Sequence, residues 1–149
     1  MIHFEGDQAF TLPPATVAAK LSDAAWLVGC LTDAHVTEAT PDRAAWKLKP
    51  KLSFLTGGMD TTLEVTARDP GKSAAFKIFT KAIGATSTVT AVLHFSGAAD
   101  GGTAVHWTGD LAEVTGLLKM VPKGLLQATA EKVIGDVWAA VAAKLAAGG

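Results

Sequence analysis

The run Gly124–Leu145, GLLQATAEKVIGDVWAAVAAKL, constrains the rest of the chain. Its apolar residues Leu126, Ala130, Val133, Ile134, Val137, Trp138, Val141 and Leu145 recur at steps of three and four. That spacing places them on one face of an α-helix. Gln127, Glu131, Asp136 and Lys144 fall mostly on the opposite face, toward water. Helical throughout, residues 121–149 would span roughly 40 Å at 1.5 Å per residue. An apolar stripe of that length needs a surface to cover it, and the preceding residues must supply one.

The preceding residues read as strands separated by turns. In residues 2–12, Phe4, Gly6, Phe10 and Leu12 share one face, and His3, Glu5, Asp7 and Thr11 share the other. Pro13-Pro14 stops that strand, and Pro14 can open a short helix with Val17, Ala18 and Leu21 inward. Asp23 is placed to cap a second short helix, Ala24–Leu31.

Strand patterns then recur at His35–Thr40, Ala44–Leu55, Asp60–Arg68, Ser73–Ala82, Thr86–Ser96 and Thr103–Leu111. Pro50 marks an edge or a bulge, and Gly57-Gly58 a hairpin. Leu63, Val65 and Ala67 are expected to face inward from Asp60–Arg68. Short turns between successive strands imply antiparallel pairing. The expected fold is α+β: a curved antiparallel sheet of about six to seven strands, two short helices after the first strand, and a long C-terminal helix.

A chain of 149 residues suits a single domain, 1–149. Hydrophobic residues make up 49%, charged residues 18%, and mean hydropathy is +0.30, values of a globular rather than a disordered chain. Lys+Arg total 13 against 14 Asp+Glu, which argues against a nucleic-acid partner. Cys30, the single cysteine, cannot form an internal disulfide and suits a reducing compartment. The N-terminus does not read as a secretory signal, and no apolar run is long enough for an integral membrane segment. A cytoplasmic location is expected.

Catalytic signals are sparse. His3, His35, His94 and His106 show no metal-binding spacing, and alternation turns His3, His94 and His106 away from the inner face. No motif marks Cys30 as a nucleophile, and it reads as a buried thiol. Glu5, Asp7 and Glu64 alternate outward, and Asp23 and Asp110 read as cap or turn residues. The inner faces hold Phe, Leu, Val, Ala, Trp and a few Gln and Thr, with nothing placed for general acid–base work. This rests on parity, which one β-bulge reverses. Neither a metal nor an organic cofactor is expected. Lys47, Lys49 and Lys51 read as a solvated strand face, or as a docking patch for anionic lipid or an acidic partner.

The order of elements resembles the START/Bet v 1-like (SRPBCC) superfamily. The resemblance is carried by Phe4-Glu-Gly6-Asp-Gln-Ala-Phe10 followed by proline, by Val17 and Leu21-Ser-Asp23, and by Gly109-Asp110-Leu111. It continues through Val114-Thr-Gly116-Leu117-Leu118, Leu125-Leu126, Ala130, Val133-Ile134 and Trp138. The nearest branch is the one typified by the G subunit of carbon monoxide dehydrogenase. The resemblance implies a helix-grip fold with an apolar cavity between sheet and helix.

It also implies a hydrophobic ligand, lipid or quinone-like, and service to a molybdenum hydroxylase-type oxidoreductase with peripheral membrane contact. Longer members carry a C-terminal extension that can attach to membranes. With Gly149 just past the helix, autonomous anchoring is not expected.

The expected cavity lining from sheet and short helices is Phe10, Trp26, Trp46, Phe54, Phe76, Leu93, Phe95 and Trp107. From the long helix it is Leu126, Ala130, Val133 and Val137. The expected function is a non-catalytic binding or carrier protein. The alternatives are a polyketide cyclase/dehydratase-like enzyme and a protein-interaction module of the chaperone-activator kind. The stripe also predicts that Trp138→Ala costs more stability than Leu145→Ala, because the helix end should fray.

Overall fold

The computed structural model describes residues 2–31, 34–48, 59–82 and 84–147. Strand β1 (Ile2–Phe10) alternates as its sequence dictates, with Ile2 and Phe4 buried and His3, Glu5 and Asp7 exposed. Helix α1 (Pro14–Leu21) starts on Pro14 and buries Val17, Ala18 and Leu21. Proline suits a first turn because its missing N–H would have no helical partner there. Helix α2 (Ala24–Val28) is capped by Asp23, whose carboxylate accepts from the backbone N–H of Ala25 at 2.9 Å and of Trp26 at 3.3 Å. Those bonds satisfy donors that a helix start leaves open.

The strands β2 (His35–Ala39), β3 (Arg43–Leu48), β4 (Met59–Asp69), β5 (Ser73–Ala82), β6 (Ala85–Gly97) and β7 (Thr103–Gly116) follow. All neighbouring strands pair antiparallel, in the order β1-β7-β6-β5-β4-β3-β2. The Pro50 signal, the second half of the expected Ala44–Leu55 strand and the Gly57-Gly58 hairpin lie outside the described residues. Helix α3 (Lys123–Ala146) closes the chain, entered through a 3-10 turn, Leu117–Met120. Strands and final helix form the expected α+β, helix-grip-like architecture.

The sheet carries three bulges, one between Val36 and Glu38 of β2 and two in the longer strands. Of the latter two, the first lies between Val65 and Ala67 of β4, so that Arg68, rather than Ala67, falls opposite the buried Ala74. The Arg68 guanidinium donates to the Ser22 carbonyl at 2.7 Å and to the Pro41 carbonyl at 3.0 Å, tying the α1–α2 corner to the β2–β3 turn. The expected inward position of Ala67 is therefore corrected: the extra residue advances the side-chain alternation by one. The second bulge inserts Ala112 into β7 opposite Thr88 and Val89, and β7 runs on to Gly116 beyond its expected end at Leu111. Gly116 has φ of +63°, and a Cβ there would collide with the Gly84 carbonyl oxygen. Only glycine lets the chain leave the sheet at that point.

The main core joins Val17, Ala18 and Leu21 of α1 to Phe76, Phe95 and Val105 of the sheet and Val141 and Leu145 of α3. A second cluster joins Ala24 and Val28 to Ala44 and Trp46. In α3 only Val141 and Leu145 are buried, while Leu125, Val133 and Val137 are exposed. The long helix is thus seated at its C-terminal end and stands free at its N-terminal end.

Candidate functional site

The standing-off half of α3 leaves a cavity of about 390 Å³ beside β1. Its sheet wall is Phe4, Gln8 and Trp107, on the inner face of β1 and its neighbour β7. Its helix wall is Glu131, Ile134, Gly135 and Trp138, at helical steps of three, one and three. His3 and Glu5 complete the lining. They belong to the other face of β1, but β1 is an edge strand, so long side chains can reach round to the opening.

The apolar wall is built from rings. Trp138 lies 6.3 Å from both Phe10 and Trp107, centroid to centroid, each at a 35° tilt. The Trp107 indole rests on Gly6, its register partner. A Cβ at Gly6 would come within 2.8 Å of that ring, so glycine is what lets the indole lie against β1. Trp107 Nε1 is buried with no hydrogen-bond partner among the described residues, and so is Trp46 Nε1 in the second cluster. More than nine in ten buried polar groups are paired, so each orphan calls for a physical reason.

The rim carries charge. His3 Nδ1 lies 2.6 Å from Asp110 Oδ1, and Nε2 lies 3.4 Å from Glu5 Oε2. Those hydrogen bonds, to Asp110 first and Glu5 second, raise the His3 pKa above 6.5. His106 makes a like pair with Asp7 at 3.0 Å on the outer face. An imidazole and two carboxylates, His3, Glu5 and Glu131, border the cavity from exposed positions, as alternation and the helical stripe place them, while Phe4, Trp107, Ile134 and Trp138 give its wall an aromatic and aliphatic surface beside Gln8. Among the described residues no group of His, Cys, Asp and Glu is arranged to hold a metal. Cys30 is buried, with its thiol raised by burial, an effect that Lys144 opposes.

Of the residues expected to line the cavity, Trp107 is on it. Phe76, Leu93 and Phe95 are buried in the main core instead. Trp46 is enclosed in the second cluster, and Trp26 packs on the core with the Lys20 and Lys144 ammonium groups 5.7 and 5.1 Å from its ring. Phe10 does not line the cavity but packs its ring 6.3 Å from that of Trp138, which does. Leu126 and Ala130 are half-buried, and Val133 and Val137 point to solvent. Phe54 lies outside the described residues. Phe4, Gln8, Ile134, Gly135 and Trp138 take the places of those core residues. The helical step Glu131-Ile134-Gly135-Trp138 was the available signal; an apolar stripe scored on hydropathy alone passes over Gly135 and Glu131.

Comparisons with known proteins bear on the fold and the family. A conserved protein from Geobacillus kaustophilus superposes with a TM-score of 0.83 over 97% of this chain and 95% of its own, at 18% identity. A START superfamily protein from Mycobacterium smegmatis gives 0.68 over 95% of both chains at 9% identity. DynU16, from the dynemicin biosynthetic locus, gives 0.61 over 98% of this chain and 48% of its own at 15% identity. These likenesses show the fold. No curated protein sequence matches significantly. Residues 6–146 match the family of CoxG, the G subunit of carbon monoxide dehydrogenase. That match takes in nearly the whole chain, and the protein belongs to the CoxG family.

Proposed function

We propose that this protein is a non-catalytic carrier that holds an apolar small molecule, lipid or quinone-like, between β1 and the N-terminal half of α3. The observation that carries the reading is the cavity of about 390 Å³ walled by Phe4, Trp107, Ile134 and Trp138. Concave sites of a few hundred Å³ lined by aromatic and aliphatic groups are the usual seats of such ligands. Membership of the CoxG family supports an oxidoreductase of the molybdenum hydroxylase type as the recipient, with the protein working in the cytoplasm. No helix among the described residues is long and apolar enough to cross a membrane.

Gly135 supplies the test. It lines the cavity, and a Cβ there would meet nothing within 4 Å. Gly135→Leu should fill the space without straining the helix. Native mass spectrometry of protein gently purified from its source should show a bound apolar species in wild type and none in Gly135→Leu. Repeated absence from wild type, together with no binding of a naphthoquinone or palmitate, would sink the reading.

The His3–Asp110 pair at the rim favours a second reading, a cyclase/dehydratase-like enzyme with His3 as the proton-transfer group. Turnover of a polyketide-type substrate that disappears in His3→Gln would establish it over the carrier.

A further inference from the structure

We infer that two copies of this chain pack back to back through the outer face of the sheet, about a two-fold axis that runs along β6. This is the face turned away from α3, so the inference does not depend on the carrier reading.

The register shows why the face fits itself. One row crosses it as His3 of β1, Asp110 of β7, Thr90 of β6, Lys77 of β5 and Glu64 of β4. Side chains paired in register stand on the same side of a sheet. Outward from Thr90, an acid and then an imidazole lie one way, and a cation and then an acid lie the other. Turned about β6, the row sets Asp110 against the partner's Lys77, Lys77 against the partner's Asp110, and His3 against the partner's Glu64. No like charges meet in it. A surface complementary to its own image is what a two-fold contact requires, and opposed charges fix its register.

Charge outside that row divides the same way. β1 and β7 also carry Glu5, Asp7 and Glu113, with neither lysine nor arginine, whereas β5 carries Lys77 and Lys81 and no acid. Arg43 takes Glu64 and Lys47 takes Asp60, which leaves Lys77 and Lys81 without an ion-pair partner among the described residues.

Between the two halves the face is uncharged. Thr88, Thr90 and Val92 of β6 lie there beside Phe79 of β5, which is 39% exposed. An uncharged centre within a charged rim is the usual anatomy of an interface. Phe79 also borders a hollow of about 200 Å³ with Arg43, Thr62, Glu64 and Lys77. Glu113 stands two strands from Phe79, across Thr88, so the same axis carries it over the partner's hollow, near a lysine and an arginine.

At about 3.3 Å per residue and 4.8 Å per strand, the face from β1 to β4 covers roughly 500 Å² per copy. That is the low end for specific contacts, so the dimer is weak. The row through His94 ends in Asp7 on one side and Asp69 on the other, so the strands of the two copies diverge there, as packed sheets do at about 30°.

Sedimentation velocity tests this. Wild-type protein should dimerise with a Kd of about 100 µM in low salt, and about 0.5 M salt should weaken it severalfold. Lys77→Glu and Asp110→Lys should each weaken association about tenfold or more, and the variant carrying both should recover it. Thr90→Arg, which brings two guanidinium groups together on the axis, should abolish it with both ion-pair residues in place. Circular dichroism checks that each variant is folded, and Thr90→Arg decides if a charge reversal is not. Wild-type protein that stays monomeric at about 1 mM overturns the inference. So does association that the reversals or Thr90→Arg leave unchanged, or that the double variant fails to recover.

Discussion

His3 shows how a surface residue acquires a task from its neighbours. Its imidazole is exposed, so burial does little, and hydrogen bonds to Asp110 and then Glu5 raise its pKa. The folded value lies above the unfolded one, so the protonated pair contributes stability in full below pH 6.5 and loses it as pH rises through the folded value. Solvent and salt keep that contribution small. A histidine NMR titration should place the His3 midpoint above 6.5, and Asp110→Asn should bring it back down; an unchanged midpoint in that variant would exclude Asp110 as the cause. Gly6 makes a harder claim. With 2.8 Å between its missing Cβ and the Trp107 ring, Gly6→Ala should displace the indole, shift its fluorescence and weaken naphthoquinone binding, even where the strand still pairs. Neither effect was open to sequence reasoning, because each depends on which β7 residue lies opposite which β1 residue.

At the scale of elements, alternation and capping located most of the fold. Asp23 marked the start of α2, Pro14 the start of α1, and the Thr86–Ser96 alternation a central strand, each for a local reason that needs no tertiary knowledge. The bulges at Val65/Ala67 and Thr88/Val89 were not legible, since a one-residue insertion leaves composition unchanged and reveals itself only in the neighbouring strand. The cavity lining was read too broadly for a related reason. An inward face does not say which inward residues another element covers, so the core residues Phe76, Leu93 and Phe95 looked no different from Phe4 and Gln8. The depth order along α3 is likewise reversed from expectation: Leu145 is buried and Trp138 only half so, because the last turns of the helix enter the main core. Leu145→Ala should cost about 3 kcal/mol, as for an enclosed leucine, and Trp138→Ala no more than that. Urea unfolding midpoints would test the order, and a much larger loss for Trp138→Ala would place the helix closer to the sheet than described.

For the whole molecule, the two ends of α3 should differ in stability, and the cavity should sit under the weaker one. Its N-terminal end has no side-chain cap and no acidic residue in the first turn, and Lys123 stands where the helix dipole disfavours a cation. Gly124 and Gly135 each cost up to about 1 kcal/mol relative to alanine. Leu125, Val133 and Val137 return little, being exposed, whereas Val141 and Leu145 are anchored in the main core. Opening of residues 124–135 is therefore cheap compared with global unfolding, which is what entry of an apolar molecule beside β1 needs. Hydrogen exchange should show amides 126–135 exchanging well before 138–146. Gly135→Ala should slow the first group alone, by about fivefold. A bound probe such as a naphthoquinone should slow it further, since ligand held against Ile134 and Trp138 makes opening costlier. Uniform exchange along α3, unaffected by the probe, would mean that the helix moves as one body and that the ligand enters elsewhere.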